Sequence, residues 1–247
     1  MSNQLTRGVT VLAAVAMLFF FAPSASGDAP VASPVEATAA WVQARMLVAA
    51  PPARGRTYPG AVETKEEGEQ RYAEIARAVV EVAYDPTEAA LFGGKQGRAR
   101  TAMLLASVAF FESGYRRDVD LGVGRWARGD SGASHCLMQV NIGKNKTAEG
   151  WNGPELVASR DKCFRAGLHV LAASMRACRS LPAVDRLAAY VSGRCVPGLP
   201  GARSRMEFAM RSFAQRPPPG LDDQVIRALG ARALSEPPAE QPVAVTE

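Results

Sequence analysis

Glu112 is the residue in this chain best placed to move a proton. It follows Ala109-Phe110-Phe111, and between Thr101 and Phe111 the only polar residues are Thr101 and Ser107. Apolar neighbours disfavour the charged form of a carboxyl. If the segment is a helix, the negative end of its dipole acts in the same direction. A carboxyl kept neutral near physiological pH is what a general acid needs. The plainer reading of Glu112 alone is a helix-end glutamate that turns to solvent. Asp118, Asp120 and Asp130 follow as candidates for a second carboxylate, and each reads equally well as a loop solvator or turn former.

Four cysteines are the next chemical group: Cys136, Cys163, Cys178 and Cys195. In an oxidising compartment an even count reads as disulfides. With only two histidines in the chain, a zinc site is the weaker reading. Cys163 and Cys178 fall on one expected helix, which at 1.5 Å per residue separates them by about 22 Å. A disulfide needs Cα atoms within about 7 Å, so these two do not pair with each other. Short loops favour Cys136–Cys163 with Cys178–Cys195. An antiparallel helical hairpin would instead bring Cys195 toward Cys163.

The elements that must hold these groups are mostly helices. Tyr72, Ile75, Ala76, Val79, Val80 and Ala83 follow the spacing of an amphipathic helix, which Asp85-Pro86 ends. A second helix is expected from about Arg98 to Ser113, apolar all round and therefore central. Residues 114–135 are Gly-rich and read as loop with a small β-hairpin. Phe164, Leu168, Leu171, Met175 and Cys178 predict a helix over 161–179. Pro182 suits a first turn, Val184, Leu187, Ala188 and Val191 form the next stripe, and Gly193 is a C-terminal cap. Met206, Met210 and Phe213 mark a further helix that Pro217-Pro218-Pro219 ends. A short helix is expected around 221–234, and the tail from Ser235 has a disordered composition.

The first 27 residues read as a secretory signal: Arg7, an apolar run from Val9 to Ala22 broken only by Thr10, then small residues with cleavage after Gly27. The run is short for a spanning helix, which needs about 20 residues. Membrane contact would come only through an uncleaved signal. Residues 28–63 are rich in Ala and Pro and read as an arm or linker, with a possible helix over Glu36–Ala50. Residues 64–216 form the expected domain, and 217–247 a Pro-rich extension.

Three short motifs occur in order around Glu112. They are Glu112-Ser113-Gly114-Tyr115, then Cys136-Leu137-Met138-Gln139-Val140-Asn141, then Ala188-Ala189-Tyr190-Val191-Ser192-Gly193. This order resembles the lytic transglycosylases of the soluble-lytic-transglycosylase type, within the lysozyme-like superfamily. Their motifs are a Glu-Ser pair closing a helix, Gly-Leu-Met-Gln-Ile, and Ala-Tyr-Asn-x-Gly, and the resemblance covers roughly residues 70–195. It implies a mainly α fold: a lysozyme-like α+β domain with a small β-hairpin or loop lobe. Position by position, it implies that Glu112 is the catalytic acid and base. Ser113 would orient the substrate or the acid. Leu137, Met138 and Gln139 would line the glycan groove, and Tyr190 would pack beside Glu112. Two departures stand out: Cys136 replaces the family Gly, and Val191 replaces the family Asn.

The implied activity is cleavage of peptidoglycan between N-acetylmuramic acid and N-acetylglucosamine, with no cofactor and with glycan strands as the partner. A hydrolase would add a second carboxylate, and Asp130 sits in the loop where lysozymes often carry it. A third reading is a weakly active wall-binding component of a secretion machinery, with Val191 as its support and the Glu112-Ser113 pair against it.

The other features have plain explanations. Arg128-Gly129-Asp130 is a chance adhesion tripeptide. His169 shares a helix face with Arg165 and Arg176 and reads as a solvated surface residue, and His135 beside Cys136 as structural. Trp126 and Trp151 could stack on sugars or simply pack. Arg203, Arg211 and their neighbours form a basic face that is solvated or meets an anionic polymer.

Composition sets the outer bounds. At 247 residues, 47% hydrophobic and 21% charged, the chain is neither disordered, collagen-like nor a multi-span membrane protein. Its net charge of +5 falls to +4 once Arg7 is removed with the signal. With no phosphate loop and no nucleic-acid fold signature, that charge indicates no nucleic acid. It suits mild attraction to a polyanionic wall in the periplasm or outside the cell.

Overall fold

The structure, a computed structural model, describes residues 33–52, 62–94, 96–125, 127–143 and 145–215. The segment read as a secretory signal, Trp126, the helix expected at 221–234, the tail from Ser235 and the 217–247 extension lie outside the described residues. Within them the chain is mainly helical, with one two-stranded sheet. No helix among them is long and apolar enough to cross a membrane.

Two capping boxes start the first two helices. Ser33 Oγ accepts from the Glu36 N–H, and the Glu36 carboxylate accepts from the Ser33 N–H, opening α1 (Pro34–Ala49). Thr64 and Glu67 repeat the arrangement at α2 (Lys65–Tyr84). The reading of 28–63 as an arm needs correcting over α1. Trp41, Val42 and Met46 are buried in the core, and α1 lies along α2 and against α3. Trp41 also meets Phe213 edge to face at 6.0 Å. The flanking prolines signal a linker, but the buried face at 38, 41, 42 and 46 has helical spacing and anchors the segment.

The central helix is α3 (Gly97–Ser113), packed by α1, α2, α6 and α8. From Ala102 to Ala106, and again at Val108 and Ala109, its apolar side chains are fully buried. The two polar residues between Thr101 and Phe111 bond to backbone: Thr101 donates to Gly97 O at 2.9 Å and Ser107 to Arg205 O at 2.7 Å.

After α3 comes a short turn of helix, α4 (Arg117–Asp120). Buried charges fix it in place. Asp120 accepts from Arg160 at 3.0 and 2.7 Å and lies 3.7 Å from Arg71, which also pairs with Glu63 and donates to Tyr115 O. Hydrogen bonding to Asp120 raises the pKa of Arg160 further, so this guanidinium stays charged.

The hairpin was expected within 114–135, but the one observed only begins at the end of that stretch and is short. Strands β1 (Ser134–His135) and β2 (Val140–Asn141) pair antiparallel, with Ser134 opposite Asn141 and His135 opposite Val140. The four residues Cys136–Gln139 join them. Then α5 (Gly153–Ala158), α6 (Arg160–Ala177), α7 (Ala188–Ser192) and α8 (Pro200–Gln215) complete the order. Gly193 caps α7 with φ of 72°. The buried stripe of α8 is Ala202, Met206, Ala209 and Phe213, and Met210 is only partly covered.

Both disulfides follow the short-loop pairing. Cys136 joins Cys163 across a Cα separation of 6.1 Å, and Cys178 joins Cys195 across 5.2 Å. Two such bridges fit an oxidising, exported setting.

His169 is not a plain solvated residue. Its Nε2 meets Glu88 at 2.8 Å and its Nδ1 meets Glu149, so it ties α6 to two loops. Burial pushes its pKa down, but the hydrogen bonds to Glu149 and Glu88 outweigh it, and the net shift is upward. The folded state therefore binds the His169 proton more tightly than the unfolded chain does. The resulting stability is fully present below the unfolded value of about 6.5 and is lost as pH rises through the folded value. The gap in melting temperature between the wild type and His169→Gln should be widest in mild acid and shrink toward mild alkali. A gap that stays constant across that range would contradict this account.

Candidate active site

Glu112 is the last residue but one of α3. The chain turns sharply just after it, because Gly114 and Tyr115 both take left-handed backbone angles, with φ of 59° and 52°. For a tyrosine this is uncommon. Burial of the ring holds it there, together with the hydroxyl donating to Ala106 O at 2.7 Å. The Ser113 hydroxyl donates to Ala109 O at 2.7 Å and accepts from the Tyr115 N–H at 3.3 Å. Ser113 therefore braces the turn that aims Glu112, and its own proton is committed to the backbone.

Two later helices bring side chains to Glu112. From α8, Arg205 donates to Glu112 Oε1 from Nε at 3.1 Å and from Nη2 at 2.8 Å. From α7, the Tyr190 hydroxyl donates to Met138 O at 3.0 Å and lies close enough to Glu112 to feel its charge. Burial, and then the Glu112 charge, hold Tyr190 well above the usual phenol pKa, with Arg205 partly opposing them. Tyr190 thus keeps its phenolic proton, which goes to the hairpin turn at Met138 O. The apolar setting expected for Glu112 needs correcting, because its carboxylate has a cationic partner that lies 93 positions along the chain.

The hairpin turn contributes backbone more than side chains. Cys136 has φ of 59°, in the left-handed region where a glycine would be unstrained. Leu137 and Met138 are buried in the core, so their side chains do not line a groove. Gln139 accepts from the Gly129 N–H at 2.7 Å and donates to Cys136 O and Ala127 O, which ties the turn to the preceding loop. A Cβ on Gly167 of α6 would sit 2.6 Å from Met138 Cε and 2.9 Å from its Cγ. Gly167→Ala should therefore push Met138 and its carbonyl away from α6, costing about 1–3 kcal/mol of stability and disturbing Tyr190. Denaturant unfolding measures the first effect, and an unchanged midpoint would contradict it.

No family model, curated protein or solved structure matches this chain.

The remaining candidates sit elsewhere or are already engaged. Asp118 pairs with Arg116, and Asp120 belongs to the knot with Arg160 and Arg71. Asp130 is exposed and accepts from Ser134 and Asn141, and these two bonds lower its pKa. Val191 is exposed at 37%. Trp151 packs partly buried with the Lys162 ammonium 5.6 Å from its ring centre. His135 is buried against α5, and that burial, with Arg128 nearby, lowers its pKa. Arg203 pairs with Asp185 at 2.7 Å.

A cleft of about 1070 Å³ opens between α1, α2 and α5, walled by Gln43, Arg77, His135 and Arg160 among others. Glu112 is not in its wall, and its Asp120–Arg160–Glu74 charges are paired. The cleft is thus separate from the Glu112 site, and His135 is the imidazole in its wall.

Sequence reasoning missed Arg205 as the partner of Glu112, with the Phe111 ring 5.3 Å from its guanidinium and Phe208 edge to face with that ring. Arg205 and Phe208 are three apart on α8 and off its buried stripe, which was the available signal.

Proposed function

We propose that the chain is an exported peptidoglycan lytic transglycosylase with a lysozyme-like fold. The observation that carries this reading is a single carboxyl, Glu112, at the end of the buried α3 beside Tyr190, with Asp118 and Asp120 already neutralised by arginines. The order of the three motifs supports it, since Glu112, the Met138 carbonyl and Tyr190 converge in space. In this reading Glu112 protonates the bridging oxygen between the muramoyl and glucosaminyl units. It then takes the proton of the muramoyl C6 hydroxyl, which attacks the anomeric carbon and closes a 1,6-anhydro ring. No water is consumed and no cofactor is needed. Periplasm and extracellular space both suit the disulfides.

A hydrolase remains the rival because Asp130 is an exposed, readily ionised carboxylate. Digestion of purified sacculi followed by mass analysis separates the readings. Anhydro ends, one water lighter than reducing ends, are expected. Reducing ends would assign a hydrolase. Retained binding with no released fragment would assign a wall-binding component.

A further inference from the structure

We propose that Phe111, Phe208 and Arg205 form a binding subsite for a sugar carrying a pendant carboxylate, and that this carboxylate draws Arg205 away from Glu112. The identity of the sugar as a muramoyl unit rests on the function proposed above.

The aromatic part is the exposed ring of Phe111, braced edge to face by Phe208. Phe111 is 39% exposed although it adjoins a fully buried stretch of α3. Phe208 comes from α8 and meets Phe111 edge to face at 6.0 Å, while stacking on Phe110 at 5.5 Å. A single exposed aromatic ring beside a charged group offers one apolar face and one polar handle to a ligand. Flat aromatic faces suit the apolar C–H face of a pyranose, with a few placed polar groups fixing its orientation.

The polar part is Arg205. Its guanidinium lies 5.3 Å from the Phe111 ring centre and donates from Nη1 to Gly201 O at 2.7 Å. Both donors directed at Glu112 go to one oxygen, Oε1. The parallel two-bond fork that guanidinium and carboxylate prefer is therefore not formed with Glu112. Two of the five N–H groups have no partner among the described residues. A sugar resting on the Phe111 ring with its carboxylate toward Arg205 can complete that fork. Glu112 is then left with Tyr190 and the apolar end of α3, free of its cationic partner when the bridging oxygen arrives.

Two sources present this chemistry: the lactyl carboxylate of bare N-acetylmuramic acid, and the terminal carboxylate of a muramoyl peptide. Binding of N-acetylglucosamine, N-acetylmuramic acid and an N-acetylmuramoyl dipeptide can be followed by NMR titration of the whole mature protein. At least one acidic sugar is expected to bind about tenfold more tightly than N-acetylglucosamine, and which one does so identifies the carboxylate source. Arg205→Gln should erase the preference while the protein still melts cooperatively. Phe111→Ala should weaken all three sugars. Glu112→Gln should keep or increase the preference, because a neutral amide competes less well for Arg205. Equal affinity for all three sugars, or a preference that survives Arg205→Gln, overturns the proposal. None of these probes contains the bond to be cut. A preference without release from sacculi would thus sink the enzyme reading alone, and release without a preference would sink the subsite alone.

Discussion

Glu112→Gln is expected to abolish fragment release from sacculi while leaving the melting temperature nearly unchanged. The activity loss follows from chemistry. An amide can neither deliver a proton to the bridging oxygen nor take one from the C6 hydroxyl, and a positioned acid or base is worth about 10²–10⁴-fold. With one group serving both steps, the larger figure applies. The small stability effect follows from geometry. Arg205 donates both its bonds to a single Glu112 oxygen, and the glutamine carbonyl can accept the same two. The guanidinium also keeps Gly201 O and the Phe111 ring. A variant that remains fully active would remove Glu112 from the mechanism. A variant that fails to fold would show that the ion pair, not the chemistry, is what Glu112 supplies.

Replacing both Cys136 and Cys163 by alanine should destabilise the protein strongly and impair the site. The closed loop spans a sequence separation of 27, for which loop entropy predicts about 3.5 kcal/mol. In a domain of this size each kcal/mol shifts the melting temperature by about 2–4 °C, so a fall on the order of 10 °C is expected. The Cys178–Cys195 loop, with a separation of 17, should contribute nearly as much to stability, since loop entropy grows only with the logarithm of length. The two bridges differ in their effect on activity. Cys136–Cys163 fastens to α6 the turn whose Met138 carbonyl receives Tyr190. Removing it should depress activity at temperatures where the protein is still folded. Assays below the melting transition, side by side with the Cys178→Ala, Cys195→Ala protein, check this. Equal activity of the two variants would count against it.

The helices were legible where periodicity and burial coincide. α2, α3 and α6 end within a few residues of their expected limits because long apolar stripes with Pro or Gly stops leave little freedom. α1 was read as a helix but not as core. Its buried face is brief, and its partner Phe213 lies far along the chain. Its start was also open to reading, since Ser33 and Glu36 spell a capping box. Leu137 and Met138 were apolar enough to announce the interior, but the resemblance assigned them to a groove. The environment of Glu112 was beyond reach in physical terms. Local sequence reports the helix it ends, not the guanidinium that α8 delivers from 93 positions away. His169 fails for the same reason: its neighbours on α6 are basic, while Glu88 and Glu149 arrive from other loops.

The order of the two bridges along the chain also governs how such a protein can mature. Cys136 pairs with Cys163, and Cys178 with Cys195, so each thiol is oxidised with the next one in the sequence. If the chain enters its oxidising compartment N-terminus first, each first thiol meets its proper mate before any competitor has emerged. Successive capture by a simple oxidant therefore reaches the native connectivity, and no non-native bridge has to be reshuffled on the way.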